Sequence, residues 1–145
     1  MQADEKTENE IIDVLHQYVK SYVEKSITDL MDIVSSTEDT VLIGTGPDEW
    51  VSGPSEIKKG FERDLKQSDA LEIEFGDINV SLNGDMAWTA TTMTMKASIN
   101  NKTLTLKGRV SFVFEKIENK WLIAHLHYSL PNDEQGEGKS FPEVN

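Results

Sequence analysis

The chain has 145 residues and no cysteine, and its 26 Asp and Glu outweigh 14 Lys and Arg to give a formal net charge of −12. That length suits one domain with its own core, and the missing thiols exclude disulfides, thiolate nucleophiles and cysteine-held metals. An acidic balance excludes nucleic acid as a partner, since a phosphate backbone is met by a basic surface. No apolar run reaches bilayer length, so no membrane partner is expected. The opening "MQADEKTENE" has no apolar stretch of the secretory kind, and a cytoplasmic protein is predicted.

The charge is concentrated at the ends. Residues 1–10 hold four acids and one lysine, and residues 132–145 hold the same. Sparse in apolar side chains, the two ends read as a flexible acidic segment over 1–8 and a flexible acidic tail over 132–145, around one domain at 9–131.

From Ile11 to Val34 the apolar residues recur at spacings of three and four, which predicts a long amphipathic helix with a break near Ser26 to Thr28. Thr28 is the expected cap of a second short helix. "DTVLIGTG" reads as a short strand and a turn. "SGPSEIKKGFERDLKQ" predicts another helix, with Pro54 in its first turn and Ile57, Phe61 and Leu65 on one face. The period then changes to two. Leu71, Ile73 and Phe75 alternate with Glu72 and Glu74, and "INVSLNGDMAWTATTMTMKASI" reads as strand, turn at Asn83-Gly84, and long strand. "KTLTLKGRVSFVFEKI" and "KWLIAHLHYSL" follow, separated at Glu118-Asn119. Helices first and long strands after predict an α+β domain, with the helices on one face of a curved, mainly antiparallel sheet.

Alternation sorts the last two strands into faces. Val110, Phe112 and Phe114 share one, and Arg109, Ser111, Val113 and Glu115 share the other. On the last strand Trp121, Ile123, His125 and His127 oppose Leu122, Ala124, Leu126 and Tyr128. A register with Ser111 opposite His125 and Arg109 opposite His127 gives one mixed face, suited to an amphipathic cavity. The other face is too apolar for water and needs helices or a second subunit, so a homodimer through the outer sheet face is expected.

"WLIAHLHYSLP" after "GRVSFVFEKIENK" resembles the end of the SnoaL-like branch of the NTF2-like (ketosteroid-isomerase-like) superfamily. "LIGTGPDEWVSGPSEIKKGFERDL" and "NVSLNGDMAWTA" resemble the corresponding helix entry and strand pair, and the resemblance spans roughly residues 9–131. It implies a cone-shaped α+β barrel, with helices packed on a strongly curved sheet, a cavity at the open end and a dimer. Proteins of this kind include isomerases, cyclases, dehydratases and non-catalytic ligand-binding domains, so the fold alone assigns no activity.

The candidate chemistry sits on the mixed face. His125 or His127 is placed for general acid–base work, with Arg109 to stabilise an oxyanion or clamp an anion. Further candidates for ligand contact are Tyr18, Tyr22, Asp48, Trp50, Phe61, Ser111, Trp121 and Ile123. Ketosteroid isomerase, a worked case of tuned acidity, uses an aspartate base with a tyrosine and a protonated aspartate, and no such set stands on this sheet. Two histidines want a third ligand to hold a metal. Glu115, Asp48 and His16 carry no motif for it, so no metal and no cofactor are expected. The sequence thus points first to a domain binding a small, partly apolar organic or anionic molecule. An isomerase, cyclase or dehydratase is second, and an association domain with a vestigial cavity third.

Overall fold

The computed structural model describes residues 1–144. Helix α1 (Glu5–Val23) forms where Ile11, Leu15, Tyr18 and Tyr22 recur on one face, and all four are buried. Asp4 caps it by accepting from the Thr7 backbone N–H at 3.3 Å, and Glu5 and Glu8 lie favourably at the positive end of the helix dipole. The helix therefore begins ahead of the expected boundary at residue 9. Ala3, just ahead of it, is buried, its N–H donating to the Val80 carbonyl at 2.9 Å. Among the described residues no helix is long and apolar enough to cross a membrane.

The predicted break after α1 is present. Lys25 turns left-handed at φ 56°, and α2 (Ile27–Asp32) starts from Ser26, whose Oγ accepts from the Asp29 N–H at 3.2 Å. Ser26 thus takes the capping role expected of Thr28. Two short strands, β1 (Val41–Ile43) and β2 (Trp50–Ser52), lead into α3 (Gly53–Lys66), with Pro54 in its first turn. Strands β3 (Ala70–Phe75), β4 (Val80–Asn83), β5 (Met86–Ile99), β6 (Lys102–Ile117) and β7 (Lys120–Ser129) complete one sheet of order β2-β1-β7-β6-β5-β3, with β4 also on β5. All pairings are antiparallel except β1 with β7, so the α+β sheet is mixed. It curves without closing into a barrel.

Turn chemistry fixes one end of each long hairpin. Asn100-Asn101 and Glu118-Asn119 all have positive φ, the two-residue geometry that matches strand twist. The second turn sets Ile117 opposite Lys120 and Phe114 opposite Ile123. Ala124 is then an extra residue on β7, a bulge, after which Val113 pairs with His125, Ser111 with His127, and Arg109 with Ser129. The expected pairing of Ser111 with His125 and Arg109 with His127 is therefore off by two residues. An even offset preserves the face, so Arg109, Ser111, His125 and His127 still share one side. The bulge moves Trp121 and Ile123 off that side. They join Leu126 and Tyr128 on the apolar face, which is why all four are buried.

That apolar face carries the core. Phe112 and Phe114 are fully buried and stacked at 5.7 Å, and Tyr18 and Phe75 meet Phe112 edge-on at 5.5 and 6.0 Å. At Gly108 a Cβ would come within 2.4 Å of the Ser129 carbonyl and 2.6 Å of the Tyr128 ring. The absent side chain lets that ring cross the strand, where its hydroxyl donates to the Met93 carbonyl at 3.1 Å. One polar group in the core is unmatched among the described residues: the Thr89 hydroxyl, on a residue only 2% exposed. Thr89→Val is expected to raise stability by about 1 kcal/mol, seen as a higher thermal midpoint, because it removes a buried donor without a partner.

Candidate functional site

The helices do not fill the whole inner face. Between α1, α3 and strands β3, β5, β6 and β7 lies an open cavity of about 610 Å³. Its walls are apolar, from Ile57 and Phe61 on α3, Leu71, Met93 and Met95 on the sheet, and Leu126 with Tyr128 on β7. Apolar walls with polar groups to one side are the usual make-up of a small-molecule site.

The polar groups gather on the helical side. The Tyr22 hydroxyl donates to Asp64 Oδ2 at 3.0 Å, and the rings of Tyr18 and Tyr22 stand 5.0 Å apart. Both phenols are buried, and loss of water pushes their pKa above the ordinary value. Asp64 is only partly exposed. Burial is the main cause that raises its carboxyl to about 6. The nearby charge of Glu49 adds to the rise, while the Tyr22 hydrogen bond and the charge of Arg63 oppose it. A carboxyl tuned close to neutrality is suited to taking and returning a proton.

The neighbouring Arg63 turns to the rim. It meets Asp48 at 2.8 Å and Glu49 at 3.4 Å on the loop between β1 and β2, tying that loop to α3. Hydrogen bonding to Arg63 holds the Asp48 carboxyl below its ordinary range. Close packing shapes the same loop, since a Cβ on Gly46 would meet the Glu49 carboxylate at 2.9 Å. From the far side, Lys25 Nζ donates to the Leu65 and Ser68 carbonyls, fixing the end of α3 just beyond Asp64.

Of the residues expected from sequence, Tyr18, Tyr22, Asp48 and Phe61 line this cavity. Trp50 does not; it pairs with Ile43 at the sheet edge and is 66% exposed. Trp121 and Ile123 are core residues, and the Trp121 indole donates to Glu10 at 2.9 Å. Arg109, Ser111, His125 and His127 lie on the outer face of the sheet. There His125 Nδ1 donates to the Val41 carbonyl at 2.6 Å, while Arg109 and Ser111 border a shallow groove with Asp77 and Thr92. The cavity was expected on the face of the histidines, with helices or a partner on the other. Helices and cavity instead share the apolar face, because burying Phe112 and Phe114 draws the helices to it, and the cavity is the part they leave uncovered.

Asp64 is the residue that sequence reasoning missed. It follows Phe61 by three and Gly60 by four, which puts a carboxylate at the edge of the buried helix face. An acid at that spacing was the available signal. No group of three or more His, Asp and Glu able to hold a metal occurs among the described residues.

The chain is similar in fold to a nuclear transport factor 2 (NTF2-like) superfamily protein from Salmonella enterica, with 22% identity, a TM-score of 0.84, and coverage of 96% of this chain and 100% of that one. It is also similar to a candidate calcium/calmodulin dependent protein kinase II association domain from Xanthomonas campestris, with 23% identity, a TM-score of 0.76, and coverage of 91% and 95%. A candidate dehydratase of the NTF2-like family from Streptomyces avermitilis matches at 13% identity and a TM-score of 0.76, with coverage of 88% and 97%. At these identities the likeness carries fold only. No curated protein matches the sequence. The model of the SnoaL-like domain matches residues 11–133, most of the chain, and this protein therefore belongs to the SnoaL-like domain family within the NTF2-like fold.

Proposed function

We propose that the domain binds a small, partly apolar organic molecule in the cavity between α1, α3 and the sheet, oriented by Tyr18, Tyr22 and Asp64. The observation that carries this reading is an apolar-walled cavity of about 610 Å³ with Tyr18, Tyr22 and Asp64 clustered in its lining. Titration with 1-naphthalenemethanol, followed by calorimetry, tests it. Saturable binding at one site per chain is expected. Ala97→Phe, which projects a ring into the lining, is expected to abolish that binding while the circular dichroism stays native. Failure of this alcohol and of its amine and carboxylic acid analogues alike to saturate the parent protein would sink the proposal.

A second reading follows from Asp64 itself. Raised to about 6 by burial and bonded to Tyr22, it is placed for general base catalysis of the isomerase, cyclase or dehydratase kind. In this reading Asp64 replaces His125 or His127 as the base, and a buried phenol replaces Arg109 as the donor to a developing oxyanion.

Association through the outer face is part of the proposal. Val41, Ile43, Trp88 and Val113 lie there, partly covered, in two cross-strand rows with His125, His127 and Ser111 between them. This mixture of apolar and neutral polar groups suits an isologous contact between two copies. The association domain named for the Xanthomonas campestris relative is consistent with it. Val113→Asp is expected to give a folded monomer by light scattering, with the parent a dimer. A parent already monomeric at tens of micromolar would remove this part of the proposal. The absence of cysteine fits work in a reducing compartment such as the cytoplasm.

A further inference from the structure

Resting on that reading of the cavity, we propose that the ligand is a cation: a protonated amine on a small apolar or aromatic frame, its ammonium paired with Asp64 beside Tyr22. The geometry that points to this is a carboxylate on an apolar-walled cavity with no cation in ion-pair range among the described residues. Tyr22 is the only side chain bonded to the Asp64 carboxylate among the described residues, at 3.0 Å, and no ion pair includes Asp64. The nearest guanidinium in sequence, Arg63, is already committed to Asp48 and Glu49 at the rim.

The elements around the cavity bring it mostly phenols and acids. Helix α1 brings Tyr18 and Tyr22, β7 brings Tyr128, and the loop between β1 and β2 brings Asp48 and Glu49. Helix α3 adds Glu56, Lys59 and Arg63. Lys25, at the turn after α1, is occupied by the carbonyls of Leu65 and Ser68. Strands β3, β5 and β6 contribute no charge to the lining. Lys59 is the one lining cation outside an ion pair among the described residues, and it is exposed to solvent.

The three ligand classes fare differently in such a site. An anion meets the like charges of Asp64, Glu49 and Glu56. An uncharged molecule displaces the remaining water from Asp64 and leaves its charge unpaired. An ammonium supplies the missing partner through a charge-assisted hydrogen bond, and the faces of Tyr18, Tyr22 and Phe61 attract it further. The acidic protein as a whole also draws cations toward the opening.

Three probes on one frame test the inference: 1-naphthylmethylamine, 1-naphthalenemethanol and 1-naphthoic acid, titrated calorimetrically near neutral pH at fixed ionic strength. The amine is expected to bind about tenfold or more tighter than the alcohol, and the acid more weakly than the alcohol. In Asp64→Asn the ratio of amine to alcohol affinity is expected to collapse toward unity. In the parent protein that ratio is expected to fall as the pH is lowered below the titration of Asp64, since the protonated carboxyl no longer favours a cation. Equal binding of amine and alcohol overturns the inference and leaves the cavity proposal standing. Tightest binding of the acid also overturns it and transfers recognition to Lys59. An amine preference unchanged in folded Asp64→Asn overturns the role of Asp64. If none of the three probes saturates, the cavity proposal itself fails, and this inference with it.

Discussion

Phe112→Ala is expected to destabilise the protein by about 3–5 kcal/mol, with the thermal midpoint falling by on the order of 10 °C. Phe112 is fully buried, stacked on Phe114 and met edge-on by Tyr18 and Phe75, so its ring joins the sheet to α1. Removing it costs the transfer of the ring from water and leaves a void that its close-packed neighbours fill only in part. Tyr18 loses one of its two flanking aromatic supports on the sheet, so the cavity wall is expected to loosen as well. Urea unfolding monitored by tryptophan fluorescence measures the effect. A loss below about 1 kcal/mol contradicts the placement of Phe112 in the core.

The second large effect belongs to Asp64. Its folded carboxyl titrates at about 6 against an ordinary value of 3.8, so the folded state holds the proton more tightly than the unfolded one. The stabilising contribution of that proton is complete below the unfolded value and is lost as pH rises through the folded value, between about 4 and 6. At neutral pH the ionised carboxylate is therefore a burden on the fold. Asp64→Asn keeps an acceptor for the Tyr22 hydroxyl and cannot ionise. The variant is expected to exceed the parent by roughly 1–3 kcal/mol at pH 7. At pH 4 the two are expected to converge, since both side chains are then largely neutral. Denaturant midpoints at the two pH values decide it, and a gap independent of pH contradicts a raised Asp64. Keeping a destabilising carboxylate in a cavity is what a functional site requires and a purely structural one does not, which is why the same substitution tests the site.

Much of the fold was legible because local rules and packing agree. Ile11, Leu15, Tyr18 and Tyr22 mark one helix face, Ile57, Phe61 and Leu65 another, and Val110, Phe112 and Phe114 the buried side of β6. The even division of β6 into an apolar and a mixed face also holds in three dimensions. Strand β2 was missed because Trp50–Ser52 is too short to show a period and exists by pairing with β1. Capping by Ser26 instead of Thr28 differs by two residues, the range within which helix starts are ambiguous in sequence.

The site was legible only in part. Tyr18, Tyr22, Asp48 and Phe61 were named from sequence as candidates for ligand contact, and all four line the cavity. Two features hid the rest. The bulge at Ala124 is a one-residue irregularity within an otherwise regular strand, and it decides which of Trp121, Ile123, His125 and His127 face outward. Asp64 acquires its character from Tyr22, 42 positions earlier, and from burial that no neighbouring residue in the chain announces.

By itself the sequence determined the helices and long strands, their order and the apolar face of the sheet, because periodicity and turn chemistry are local properties. Which face holds the cavity, the strand register beyond the bulge, and the meeting of Tyr22 with Asp64 were decided by tertiary structure alone. Those depend on how far two helices extend over a curved sheet, a balance of buried area that the whole chain sets together.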